Sequence, residues 1–191
     1  PWAPTLTGAI GPPFAAQLEA EVIGTRMEMA LAYLGANKLN RLLVDGPSPW
    51  LGIVAGGYNA ELVLEALGMV GLDRARAAEL GVRVLKLDAL NPFDGEAIRR
   101  LAAGTRTVLV VEEKEPNIET KVRDALYGVA GAPVVVGKRD VDGSVLVPLP
   151  GALTAEALRE PLRRVLTTVV DASRLAPVRK ELPLRITIQP E

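Results

Sequence analysis

The chain has 191 residues, 22 Lys plus Arg against 23 Asp plus Glu, a formal net charge of −1, and neither His nor Cys. No Cys means no disulfide framework, no cysteine nucleophile and no cysteine-held zinc or iron–sulfur cluster; no His means no Ser-His-Asp triad and no imidazole base or metal ligand. A balanced charge argues against a nucleic-acid footprint, which needs a basic excess. No apolar run reaches the roughly 18 residues of a membrane helix and no signal-peptide pattern opens the chain, so a cytoplasmic location is expected.

Residues 1–14 form the first segment, rich in Pro1, Pro4, Gly8, Gly11, Pro12 and Pro13, and are expected to be a tether. Residues 15–45 come next as an N-terminal helix and connector. Leu18, Val22, Met29 and Tyr33 recur near the helical period over 15–36, and Gly24 weakens that helix by about 1 kcal/mol relative to Ala. The Asp45-Gly46-Pro47-Ser48-Pro49 run is a strong break.

Residues 46–170 then alternate short apolar runs with amphipathic segments. The run 50–55 reads as a buried strand ending at Gly56-Gly57. A helix over 59–70 follows, with Asn59 as its expected N-cap. A short helix over 73–80 closes at Gly81, and 82–87 is the second strand. Asp94 caps a helix over 95–103 that stops at Gly104, and 107–111 is the third strand. Asn117 is the expected cap of a helix through Tyr127, with Gly128 beyond its end. Residues 133–136 are the fourth strand. The Asp142-Gly143 turn before Val145–Val147 predicts a hairpin return and an antiparallel edge strand. Thr154 caps a last helix through about Val169, with Pro161 inside it. Residues 171–191, carrying Pro177, Pro183 and Pro190, read as a linker to a following domain. With Pro1 at the start and Ile186–Glu191 at the end, the sequence reads as a piece excised from a longer polypeptide.

Strands separated by helices predict a three-layer α/β/α fold, a mostly parallel five-stranded sheet with one antiparallel edge strand. Ligands of such sheets bind beyond the strands' carboxyl ends. Four segments are expected to gather there: Gly56-Gly57-Tyr58, Asp88 to Pro92, Glu112 to Asn117, and Gly137-Lys138-Arg139. Gly56-Gly57 with Lys138-Arg139 could cradle phosphate, which opens the reading of a nucleotide or coenzyme A binding module. The turn matches no G-x-G-x-x-G fingerprint and the Lys138 region no phosphate loop, so a plain tight turn and a plain cation stand beside that reading. Glu112, Glu113 and Glu115 would suit Mg²⁺ or an acid/base couple; a contact set answering cations across a domain interface, with Asn117 beside it, is the plainer reading. Trp2 and Trp50 lack basic interleaving and read as packing residues. A signalling receiver ranks last, because the first strand ends in Gly-Gly rather than in an acidic cluster.

The segments Leu51–Gly57 (LGIVAGG), Ala75–Lys86 (ARAAELGVRVLK), Asn91-Pro92-Phe93, Val108–Lys114 (VLVVEEK) and Gly137-Lys138, in this order and spacing, resemble the long fused indolepyruvate:ferredoxin oxidoreductases of the 2-oxoacid:ferredoxin oxidoreductase family. The resemblance covers about residues 15–170. It implies a transketolase C-terminal-like domain lying between two thiamine-diphosphate-binding modules. It also implies a parent enzyme that oxidatively decarboxylates an aryl pyruvate to an acyl-CoA and passes electrons to ferredoxin. That parent uses thiamine diphosphate, Mg²⁺, iron–sulfur clusters and coenzyme A, and works as a homo-oligomer. None of the family's cofactor ligands or catalytic residues maps onto this sequence. The expectation is therefore a structural and assembly domain, inactive alone, whose partners are other domains of the same polypeptide.

Overall fold

The computed structural model describes residues 11, 12 and 14–176. The expected tether and linker lie largely outside these residues, as does Trp2. The first described element is one unbroken helix. It comprises α1 (Phe14–Glu21), a π-helical turn (Val22–Arg26) and α2 (Met27–Ala36). Gly24 lies within the π turn, so the expected weak point widens the helix without ending it.

The sheet contains β1 (Arg41–Val44), β2 (Leu51–Gly56), β3 (Val82–Leu87), β4 (Thr107–Val111) and β5 (Val134–Val136), in the order β1-β3-β2-β4-β5. β2, β3, β4 and β5 pair in parallel; β1 pairs with β3 antiparallel, its register shifting between Leu42 and Val44. The helices between and after the strands are α3 (Asn59–Met69), α4 (Arg74–Glu79), α5 (Gly95–Ala102), α6 (Asn117–Leu126) and α7 (Ala155–Leu166). Among the described residues no helix is long and apolar enough to cross a membrane.

The antiparallel edge is thus β1 and not the hairpin return expected at 145–147. Residues 41–44, expected inside a connector, begin the sheet. Four residues are too few to show a period, and their partner lies some 40 positions along the chain. The hairpin return does form, with the Leu146 and Val147 N–H groups donating to the Lys138 and Gly137 carbonyls, but it makes only an isolated bridge at Arg139 and Val145 and adds no strand. Arg164 of α7 ties that turn to the helix by pairing with Asp140 and Asp142. Arg123 also donates to the Val135 carbonyl, so a side chain covers part of the β5 edge.

Both sheet faces are buried, which explains the uninterrupted apolar strands. Alternation sorts the side chains. Leu51, Ile53 and Ala55 of β2, with Leu109 and Val111 of β4, join a core beneath α3 and α7. Val54, Val108 and Val110 join a second core beneath α5 and α6. Trp50 is buried and its indole N–H donates to the Leu80 carbonyl at 2.7 Å. The expected caps Asp94 and Thr154 accept from the N–H groups of Ala97 and Ala157, and Asp73 accepts from that of Arg76, each a bond worth about 1 kcal/mol. Asn59 and Asn117 are not caps: they are the first helical residues, behind Tyr58 and Pro116. α7 stops at Leu166, short of Val169, and runs through a buried Pro161. Residues 171–176 fall within the expected linker. Leu175 is buried in the core and the Ala176 N–H donates to the Val70 carbonyl, so 171–176 pack on the domain.

Candidate functional site

Strand order reverses at β2: β3 lies on one side of it and β4 on the other. That reversal opens a crevice beyond the carboxyl ends of β2 and β4. An open cleft of about 400 Å³ occupies this place. Gly56, Gly57 and Asn59 form one wall; Asp88 and Leu90 form the second; Glu112, Glu113 and Asn117 form the third.

Three of the four expected segments therefore meet. Gly57 turns the chain with φ +50°, and its N–H donates to the Leu87 carbonyl at 2.8 Å. Asn40, which the sequence did not single out, shapes the second wall. Its side-chain oxygen accepts from the N–H groups of Asp88 and Ala89 at 3.0 and 3.3 Å.

The fourth segment, 137–139, lies behind the third wall and does not line the cleft. Lys138 is buried, and its ammonium donates to the carbonyls of Glu112 and Pro148. Burial pushes its pKa below the ordinary lysine value, against the opposing pull of Glu112, Glu119, Glu113 and Glu115. Arg139 is exposed and donates to the Gly143 carbonyl at 2.7 Å, closing its own turn. Neither cation reaches Gly56-Gly57 across the cleft.

The carboxylates divide by environment. Glu112 is buried, and its two oxygens accept from the N–H groups of Ile118 and Glu119 at 2.7 and 2.8 Å. It thereby caps α6, satisfying two amides the helix leaves open and placing a negative charge at the positive end of its dipole. Glu113 is half-buried and accepts from the Leu153 N–H at 3.0 Å. Glu115 and Asn117 are exposed, so the residues expected to make contacts include surface groups alongside the buried Glu112.

Glu119 also went unnoticed in the sequence. It is buried, accepts from Arg123 at 2.7 Å with one oxygen and from the Lys138 N–H at 2.9 Å with the other. Its local signal is its place beside the apolar stripe Ile118, Val122 and Leu126 of α6. Glu112 is taken up by the amides of α6 and Asp88 pairs with Lys86 at 3.6 Å, and the cleft offers a diphosphate no cation in its lining. No set of three Asp or Glu residues able to hold a metal occurs among the described residues.

Comparison with known proteins adds the family. Subunit IorA of indolepyruvate oxidoreductase from Methanothermobacter thermautotrophicus is 35% identical over 86 residues, covering 45% of this chain and 13% of that protein. IorA from Methanothermobacter marburgensis is 31% identical over 110 residues, covering 58% of this chain and 16% of that protein. The chain thus spans about one-seventh of these curated relatives. Among solved structures, a split-gene transketolase in an inactive β4 tetramer aligns with TM-score 0.45 and 28% identity over 66% of this chain and 41% of its own. The 2-oxoglutarate:ferredoxin oxidoreductase of Magnetococcus marinus, with 2-oxoglutarate, coenzyme A and succinyl-CoA bound, aligns with TM-score 0.49 and 13% identity over 83% and 24%. The family model of the indolepyruvate oxidoreductase domain matches residues 41–182, from the antiparallel edge strand to beyond α7, and by that match the chain belongs to the indolepyruvate oxidoreductase domain family.

Proposed function

We propose that this chain is a structural and assembly domain of a thiamine-diphosphate-dependent 2-oxoacid:ferredoxin oxidoreductase of the indolepyruvate type. The carrying observation is how its buried charges are used. Glu112, Glu119 and Lys138 all bond backbone groups of the domain itself. A catalytic acid or base needs a proton-transfer partner in substrate, and these groups point into the fold. Thiamine diphosphate, Mg²⁺ and iron–sulfur clusters do not fit the residues present: no Lys or Arg lines the cleft to meet a diphosphate, no set of three carboxylates able to hold a metal occurs among the described residues, and there is no Cys for a cluster. On this reading they, coenzyme A and ferredoxin are handled by other parts of the polypeptide and its assembly. The parent reaction is the oxidative decarboxylation of aryl pyruvates to acyl-CoA, in the cytoplasm. The domain's contribution is positional: about 1 Å of misplacement can cost roughly 10²-fold in rate.

A second reading draws on Gly57, whose left-handed turn brings the start of α3 to the cleft. It makes the domain a nucleotide or coenzyme A module. Melting the 191-residue chain with thiamine diphosphate and Mg²⁺, and separately with coenzyme A, decides between them. The assembly role predicts no shift with either. A ligand at about 100 times its Kd would raise stability by about 2.7 kcal/mol, a shift of several degrees. A shift of that size with coenzyme A would replace the first reading by the second.

A further inference from the structure

The seam between α3 and α7 ends beside a cation without a counter-charge. Both helices start at the cleft end of the sheet: Asn59 of α3 lines the cleft, and the Leu153 N–H just before α7 donates to Glu113. They pack side by side over the same core, so they finish together at the opposite end. In the last turn of α7, Arg164 turns to the β5 side and pairs with Asp140 and Asp142. Arg163 stands about 100° away round the helix, across the buried stripe of Leu158, Leu162 and Leu166, on the flank toward α3. It is half-buried, and its Nε is shut off from water with no hydrogen-bond partner. It forms no ion pair with Glu160, three positions back, or with any other described residue.

The chain leaves the described residues at this same end. The Ala176 N–H donates at 2.9 Å to the carbonyl of Val70, the residue that closes α3, and Leu175 before it is buried. Residues 177–182 follow, with the sequence Pro-Val-Arg-Lys-Glu-Leu, and Glu181 is the one acid in 177–190. Five residues extend to about 17 Å, whereas Arg163 lies only about 5 Å along the axis from the end of α7, so Glu181 is within reach of it. The stretch matched by the domain family runs to residue 182, one past Glu181.

We propose that residues 177–182 form a strap that turns back along the α3–α7 seam, where the Glu181 carboxylate pairs with the Arg163 guanidinium. Two features select this occupant. The tether is short, so the local concentration of Glu181 at the seam is high. Its charge is opposite to that of Arg163 and stands alone of its sign in 177–190, and a guanidinium favours a carboxylate that can accept two of its N–H groups. The strap holds the ends of α3 and α7 together and sets the side from which the chain leaves the domain.

Thermal melting of the 191-residue chain tests this. R163E and E181R are each expected to lower Tm by about 2–4 °C, and the exchanged pair, R163E with E181R, to recover most of that loss because opposite charges meet again. The recovery is expected at every protein concentration, as for a contact within one chain. A chain ended after Ala176 is expected to melt lower than one ended after Leu182. An unchanged Tm in E181R would overturn the proposal, as would simple addition of the two losses in the exchanged pair. So would equal Tm values for the two shortened chains, or a recovery confined to high concentration, which would put the tail of a second copy at the seam.

Discussion

A β-carbon placed on Gly137 would lie 2.3 Å from the Glu119 carboxylate oxygen that accepts the Lys138 N–H. The closeness of these two residues lets one carboxylate join α6 to the end of β5. G137A must therefore push Glu119 away or bend the strand end. Overpacking of this kind costs about 1–3 kcal/mol, a fall in Tm of roughly 3–10 °C for a domain of this size. A melting curve of the variant checks it, and an unchanged Tm would mean that the contact relaxes freely.

Glu112 carries the capping of α6. In E112A two buried N–H groups lose a charged acceptor, and the expected loss is about 2–4 kcal/mol. E112Q keeps one acceptor and the shape, so it should lose less. Urea unfolding of both variants gives the comparison; equal losses would show that the oxygen kept in E112Q contributes nothing and that the charge and the second oxygen carry the cap.

Lys138 makes stability depend on pH with a definite sign. Its folded pKa lies below the unfolded value of 10.5 because burial disfavours the ammonium. Between the two values the unfolded chain binds more proton, so the Lys138 contribution rises with pH across that window. Below the window the charge is present in both states and the burial penalty is complete. Unfolding free energies of wild type and K138M, measured from neutrality up to pH 10.5, should show their difference moving in favour of wild type as pH rises. A flat difference would place the two pKa values together.

Glu113 tests the assembly role in the complete oxidoreductase. Its half-buried carboxylate already accepts the Leu153 N–H, so E113Q controls for that bond. E113K is expected to lower assembly or activity, and E113Q to change either far less. Full activity and normal assembly in E113K would remove Glu113 from the contact surface.

The local signals that worked were those with short-range causes. Asp94 and Thr154 precede helical periods, and both cap. The valine-rich runs at 82–87 and 107–111 are strands at those bounds because both their faces are buried. Asn59 and Asn117 misled, because at α6 the open amides are met by Glu112, five residues upstream of Asn117. The cleft was legible as a place, since strand ends and glycines mark it. The roles within it were not. Lys138 looked like a free cation after a glycine, and only burial against the carbonyls of Glu112 and Pro148 shows otherwise.

The sequence by itself determined that there is no histidine or cysteine chemistry, that the architecture is a mostly parallel α/β sheet, and that the strand ends after 56 and 111 carry glycine and carboxylate. These follow from composition, from period and from turn residues, all of which act over a few positions. Tertiary structure alone decided that β1 closes the sheet antiparallel, that Glu112 and Glu119 join their elements, and that Lys138 belongs to the interior. Each of those outcomes depends on partners distant along the chain or on removal from water. A run of residue types cannot show either, because the free energy of a charge is set by what surrounds it after folding.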